Sequence, residues 1–213
     1  MPNVSPLLQK GAILSLDPTT GIPLGKIMLQ YNPDTLTRSL KPQTVGDEPD
    51  RTEIMRLKGP PVETIKCDVE IDATDQLASG DSTAMSLGIQ PQLSSLELLV
   101  YPSSAVLIAN EVLSLLGTVE ILPMESALTV FVWNKNRITP VRITDLSITE
   151  EAFDPQLNPI RAKVSLGMRV LNVNDTGFAN KAGGLFMTYL QNKEQLARRS
   201  ANAVFSTLGI TGV

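Results

Sequence analysis

The sequence predicts a mainly β protein with flanking helices, and three stretches carry this prediction. Residues 65–72 alternate apolar with charged side chains, and residues 160–170 alternate apolar side chains with Arg, Lys and Ser. Residues 128–133 are apolar on both faces, which is typical of a central strand. Because successive side chains of a strand point to opposite faces, the alternation indicates sheets with one face on a core.

The composition is that of a globular protein. The chain has 213 residues, of which 42% are hydrophobic and 19% charged, so it is not a disordered chain. Its single cysteine, Cys67, lies on the apolar side of the first alternation and cannot form a disulfide within the chain. We see neither a signal peptide nor a membrane-spanning segment, and expect a cytoplasmic protein without membrane insertion.

The residue types present argue against catalysis. The chain has no histidine, which removes the commonest general base, the usual partner of a Ser or Cys nucleophile and the commonest zinc ligand. No phosphate-binding loop, nucleophile elbow or EF-hand spacing occurs. We therefore expect no enzyme activity, no cofactor and no metal. The net charge of −4 also argues against a nucleic-acid partner.

The N-terminal part is predicted to begin with a hairpin. Residues 11–16 and 25–31 form its strands, and the DPTTG segment at 17–21 forms its turn. The PQTVGDEPD segment at 42–50 has the composition of a loop. Gly59-Pro60-Pro61 then predicts a corner that leads into the strand at 65–72.

The middle of the chain is predicted to be helical. After a loop at 76–90, Pro91 begins a helix that Pro102 ends. A second helix, capped by Ser103 or Ser104, runs over 105–116. Its apolar stripe is typical of a helix packed in a core.

A second block of strands follows. The strand 128–133 turns at Asn134-Lys135-Asn136 and returns from Arg137. Apolar residues change parity between Ile143 and Leu146, which predicts a bulge near Thr144 or Asp145. The strand at 160–170 completes the β domain.

We divide the chain into a β domain (1–172), a polar connector (173–184) and a C-terminal amphipathic helix with its tail (185–213). Near one face of this helix lie Phe186, Leu190, Val204 and Phe205. Two interpretations stay open: the helix packs on its own domain, or these residues dock onto a partner. We assign them to partner docking.

Two rows of charge are the candidate interaction residues. One row is Lys66, Asp68, Glu70 and Asp72, and the other is Arg161, Lys163 and Arg169. They are either solvated faces, or complementary edges or a channel wall in a ring. A metal site is disfavoured because carboxylates two residues apart on a strand lie nearly 7 Å apart. A carboxylate-dependent hydrolase using Asp68, Glu70 or Asp72 is the remote alternative.

Three groups of segments follow one another in a characteristic order. They are QYNPDTLTRSL (30–40), LKGPPVETIKCDVEIDATD (57–75) with GIQPQLSSLELLVYP (88–102), and FDPQLNPIRAKVSLGMRVL (153–171). Together they resemble the tube-protein domain of contractile injection systems, the family that includes the tube initiator of antifeeding-prophage and Photorhabdus virulence-cassette particles. The resemblance covers about residues 10–172.

This resemblance implies a phage tail-tube-like antiparallel sandwich or partial barrel assembled as a hexameric ring. The implied partners are the inner tube protein and either the cap, also called sheath terminator, or baseplate proteins. The family's tube initiators continue into a LysM domain, which this sequence does not show. We therefore expect a cap adaptor within a bacterial contractile particle, with a baseplate-side tube initiator as the alternative.

Overall fold

In the part of the chain that the structure describes, the fold is built on one antiparallel sheet of seven strands. A computed structural model describes residues 9–44, 56–115 and 126–200. In chain order the strands are β1 (Ala12–Leu16), β2 (Pro23–Met28), β3 (Leu36–Thr44), β4 (Leu57–Asp72), β5 (Leu128–Asn134), β6 (Arg137–Phe153) and β7 (Pro159–Val170). Their order across the sheet is β2-β1-β5-β6-β7-β4-β3, with β2 and β3 at its edges.

Strand β6 belongs to both halves of the sheet. Its residues 137–141 pair with β5, whereas residues 141–153 pair with β7. Ile13 and Phe131 from one half lie in the same buried cluster as Val164 from the other. The mainly β class with flanking helices is confirmed. The two separate sheets of a sandwich are not found in the described residues, because β6 is long enough to join both halves.

The predicted turns and the bulge are confirmed. Asp17 Oδ1 accepts hydrogen bonds from the backbone N–H groups of Thr19 (3.0 Å) and Thr20 (2.6 Å), which closes the first turn. The β5–β6 hairpin turns after Asn134, and the register between β6 and β7 shifts between Ile143 and Asp145.

The predicted corner at Gly59-Pro60-Pro61 is instead part of β4. Gly59 lies opposite Gln43 of β3, beside a shift in register between Lys41 and Gln43. Pairing of β4 with β7 begins only at Thr64. The two prolines, which have no N–H to donate, therefore lie where β4 has a neighbour on one side only.

Within residues 9–44, 56–115 and 126–200, six helices flank the sheet. They are α1 (Thr74–Ala78), α2 (Ser82–Leu87), α3 (Gln90–Glu97), α4 (Ser104–Leu115), α5 (Val173–Thr176) and α6 (Lys181–Ser200). The segment 76–90 was expected to be a loop, yet α1 ends and α2 lies within it. Asp81 caps α2 by accepting a hydrogen bond of 2.8 Å from the N–H of Ala84. No helix among the described residues is both long and apolar enough to cross a membrane.

Helix α4 does not pack in the core, contrary to its predicted role. None of its described side chains is buried, and Ile108 and Leu115 are 65% and 79% exposed. The core cluster is filled instead from α3, through Leu93 and Leu96, and from α6. Exposed apolar helices of this kind are typical of protein contact surfaces.

Helix α6 packs on its own domain, and it begins at Lys181 instead of Leu185. Phe186 and Tyr189 are buried in the core cluster, and Leu190 packs against it. The assignment of Phe186 and Leu190 to partner docking is therefore wrong, because the sheet covers them. Val204 and Phe205 lie outside the described residues. The predicted connector contains α5, which begins with a capping box between Asn172 and Asp175.

The buried position of Phe186 predicts a large loss of stability on truncation. We expect Phe186→Ala to lower the free energy of unfolding by about 3 kcal/mol, because burial is lost and a cavity remains. Phe178→Ala is the matched control, since Phe178 is 71% exposed. Urea denaturation of both variants measures the difference, and equal losses would contradict the packing of α6.

Two adjacent glycines of α6 predict opposite effects of the same substitution. A Cβ at residue 183 would lie 2.0 Å from the carbonyl oxygen of Gly177, whereas a Cβ at residue 184 would meet no atom within 4 Å. We expect Gly184→Ala to stabilise the protein by up to about 1 kcal/mol through helix propensity. Gly183→Ala should destabilise it by about 1–3 kcal/mol through overpacking. Thermal unfolding of the two variants tests this order.

Candidate functional surface on the charged face of the sheet

The two charged rows lie side by side on neighbouring strands. In the pairing of β4 with β7, Asp68 faces Ser165, Glu70 faces Lys163, and Asp72 faces Arg161. The rows therefore share one face of the sheet within a single chain. Their interpretation as complementary edges of different subunits is wrong, because β4 and β7 are interior strands.

Several of these charges have partners within the chain. Arg161 Nη2 lies 2.7 Å from Asp72 Oδ2, and Lys163 Nζ lies 3.2 Å from Glu151 Oε1 on β6. Ser165 Oγ donates a hydrogen bond of 2.5 Å to Asp68. At the other end of the row, Arg169 Nη2 lies 2.7 Å from Asp175 Oδ1 at the start of α5.

These contacts are worth little to the stability of the fold. Exposed ion pairs contribute roughly 0–1 kcal/mol each, because water screens them and two long side chains must be held in one geometry. Arg161 and Lys163 are about half exposed in their pairs, with side-chain exposures of 50% and 55%.

The polar face extends over all four strands of one half of the sheet. Its members on β3 and β6 are Thr37, Ser39, Ser147, Thr149 and Glu151, which continue the β4 and β7 rows. Across β4, β7 and β6 this face carries five cations and five carboxylates: Lys66, Arg142, Arg161, Lys163, Arg169, Asp68, Glu70, Asp72, Asp145 and Glu151. We call this the polar face. Because positive and negative side chains are mixed on this face, it has little net charge with which to attract a charged ligand.

A shallow groove crosses the polar face. It has a volume of about 900 Å³ and lies between the Tyr31–Asn32–Pro33 segment and the side chains of Glu70 and Lys163. Among the described residues, no three Cys, Asp or Glu side chains are grouped to hold a metal ion. The lining of the groove is mainly polar, and among its residues no nucleophile lies beside an activating base.

Asp72 is poorly suited to the proton transfer that the hydrolase alternative requires. Hydrogen bonds from Thr74, and then from Arg161, hold the pKa of its carboxyl below the ordinary value. A general base works best with a pKa near the operating pH. The geometry at Asp72 therefore favours a fixed, ionised carboxylate that orders the end of β4.

A second polar cluster, which the sequence analysis missed, lies on the opposite face of β4. Glu63 is 3% exposed and accepts hydrogen bonds from Arg38 Nη2 (2.6 Å), Tyr189 Oη (2.8 Å) and Lys193 Nζ (2.9 Å). Lys193 also lies 4.0 Å above the Tyr189 ring. This Glu63 cluster ties β3, β4 and α6 together. The sequence signal for this cluster was the position of Glu63 two residues before Ile65, which places both side chains on the buried face of β4.

The ionisation of the Glu63 cluster follows from these contacts. Burial alone would raise the pKa of Glu63, but hydrogen bonds from Lys193, Arg38 and Tyr189 outweigh it, so the pKa lies below its ordinary value. Burial, followed by the hydrogen bond to the Glu63 carboxylate, raises the pKa of Tyr189.

Burial and the charge of Asp68 raise the pKa of the nearby Cys67 thiol to about 11, which makes it a weak nucleophile at neutral pH.

Comparisons with known proteins add no relative to this description. No protein-family model matches the chain, and no curated protein matches it. The resemblance to tube proteins therefore rests on the three groups of segments quoted above.

The lowered pKa of Glu63 predicts a specific dependence of stability on pH. The Glu63 contribution is complete above its unfolded-state pKa, near 4.5, and is lost as the pH falls through the lower folded-state pKa. We expect the free energy of unfolding of Glu63→Gln to fall less steeply than that of the wild type as the pH is lowered below about 4.5. Glu63→Ala should cost roughly 3 kcal/mol at pH 7, because it leaves two cations without their carboxylate. The exposed Glu194→Gln is the control, and an acid limb unchanged by Glu63→Gln would contradict the prediction.

Proposed function

We propose that this protein is a structural, non-enzymatic adaptor of a phage-tail-like contractile injection system. It forms a hexameric ring on the end of the inner tube and joins that tube to the cap, or sheath terminator. The proposal joins the resemblance of its sequence to tube proteins with the character of its surfaces.

The polar face is the single observation that supports this function most. A tube must have a wall that stays wet and does not hold the cargo that passes along it. The polar face has this character: charged and hydroxyl side chains follow one another over β3, β4, β7 and β6, and positive and negative charges are nearly equal in number. A wall of one sign would instead attract and retain oppositely charged cargo.

The remaining surfaces agree with a protein that has two kinds of neighbour. The described sheet is open, with β2 and β3 at its edges, and closure of sheets around an axis is one way in which proteins remove exposed edges. Helix α4 presents Ile108, Val112 and Leu115 on one exposed stripe. An adaptor needs such a second contact, in addition to the contact within its ring.

Deletion of the gene for this protein in the producing bacterium tests the proposal. We expect electron microscopy to show tubes that form on intact baseplates but lack a cap or vary in length, because the last ring is missing. Complementation with the wild-type chain should restore capped particles, and complementation with Gly184→Ala should do the same.

Two other outcomes have clear meanings. If no tubes nucleate without the chain, the protein acts at the baseplate as a tube initiator. If the particles are unchanged and purified particles do not contain the chain, the structural function itself is wrong.

A further inference from the structure

We propose that a cavity beside the β5–β6 turn binds a carboxylate side chain presented by an acidic segment of a partner protein. The cavity has a volume of about 240 Å³ and opens to solvent between that turn, β3 and the C-terminal half of α6. We call it the basic cavity. Six of the residues that line it are Arg38, Asn134, Asn136, Arg137, Lys193 and Leu196. This inference goes beyond the proposed function, which does not require such a site.

The basic cavity lies on the side of the sheet opposite the polar face. Arg38 of β3 is paired with buried Ile65 of β4, so the two side chains leave the sheet on the core face. Helix α6 packs on that face and brings Lys193 to the same place, while the turn after β5 adds Arg137. Three segments that are distant in sequence therefore contribute one cation each.

The charges of the basic cavity do not cancel in the described part of the chain. Arg38 and Lys193 share a single carboxylate, that of Glu63, at 2.6 Å and 2.9 Å. Arg137 forms an ion pair with none of the described carboxylates. Three cations beside one carboxylate leave a local charge of +2, in a chain whose net charge is −4. The cavity is therefore a positive site on an acidic protein.

The contacts to Glu63 leave hydrogen-bond donors for a ligand. Arg38 donates to Glu63 through Nε and Nη2, which leaves its Nη1 group. The ammonium group of Lys193 has three N–H donors and gives one to Glu63. Arg137 adds a whole guanidinium. In the turn, Asn134 Oδ1 already accepts a backbone N–H at 2.9 Å, so its amide nitrogen is left to donate. Such a concentration of donors suits an oxyanion.

Two of the cations are held in position before any ligand arrives. The Glu63 carboxylate fixes both Arg38 and Lys193, and the Lys193 ammonium also lies 4.0 Å above the ring of Tyr189, which is buried. Side chains that are already ordered lose less conformational entropy when a ligand binds. The Glu63 cluster thus prepares the site, although its own carboxylate cannot neutralise three cations.

The rest of the lining favours a protein segment over a free inorganic anion. Leu196 lines the basic cavity and is 44% exposed, so the site has an apolar wall beside its cations. A phosphate ion would contact only the donors, whereas a segment with an apolar residue next to Asp or Glu would use both. Nucleic acid is disfavoured, because a chain with a net charge of −4 repels a polyanion outside this one site.

An NMR titration of the isotope-labelled full chain tests the site with three probes. The first is the peptide Gly-Leu-Glu-Asp-Leu-Gly, blocked at both ends, and the second is the same peptide with Gln and Asn in place of Glu and Asp. The third is inorganic phosphate. We expect the acidic peptide to bind at least tenfold more tightly than the amide peptide and to shift the signals of residues 134–137 and 193–196. Raising the salt concentration should weaken this binding severalfold, because salt screens exposed charges.

Variants of the β5–β6 turn test whether the cavity itself is responsible. We expect Arg137→Gln to weaken binding of the acidic peptide about tenfold, and Arg137→Lys, which keeps the charge, to retain most of it. Lys135→Gln is the matched control: it removes the same charge from the same turn, but Lys135 does not line the cavity. Its effect should be less than twofold. Thermal unfolding of each variant shows that it is folded.

Each other outcome has a defined meaning. Equal binding of the two peptides, or equal losses in Arg137→Gln and Lys135→Gln, would overturn the inference, because a carboxylate-selective cavity predicts neither. Binding of phosphate without binding of the acidic peptide overturns the protein partner and identifies a site for a free anion. The absence of shifts with all three probes overturns the site. Because the titration uses the isolated chain, a negative result leaves the adaptor function standing, and failure of the adaptor function leaves the titration result unchanged.

Discussion

The antiparallel pairing of β4 with β7 is the constraint on which the rest of the structure depends. Where they pair, residues 64–72 of β4 and 161–169 of β7 place apolar side chains on one face and polar ones on the other, and the register puts Val69 opposite Val164 and Glu70 opposite Lys163. All apolar side chains of the pair then face the core, and all charges face the other side. Because the side-chain period is two, a slip of one residue would bury the charges, so this register is strongly specified.

The core face explains why the C-terminal helix belongs to the domain. Phe186 and Tyr189 of α6 fill the core cluster, and the hydroxyl of Tyr189 reaches the carboxylate of Glu63. A buried carboxylate is costly unless its oxygens are satisfied, and Arg38 and Lys193 complete that requirement. The cluster thus favours this position of α6, because Tyr189 and Lys193 of the helix supply two of the three side chains that hydrogen-bond Glu63.

The opposite side of the sheet and its margins are more exposed than the core face in the described part of the chain. The polar face contributes little to folding, α4 leaves its apolar side chains exposed, and β6 outlasts its β5 partner. The exposed apolar surface of α4 and the unpaired backbone of β6 each have a cost in an isolated subunit. Together they are consistent with a subunit whose structure is completed by assembly, which is the setting of the proposed adaptor.

The sequence alone determined most of the strands and their faces, the first turn and the bulge after Ile143, because alternation and turn chemistry are local properties. It also determined which charges share a face of each strand. It did not predict β3 or the first part of β4, where the alternation is weak. Only the tertiary structure decided that the rows of β4 and β7 are neighbours, that α6 covers the core while α4 does not, and that Glu63 is satisfied from two distant segments. These outcomes depend on which apolar surfaces meet in space. The apolar stripe of a helix such as α4 does not specify the surface against which it packs.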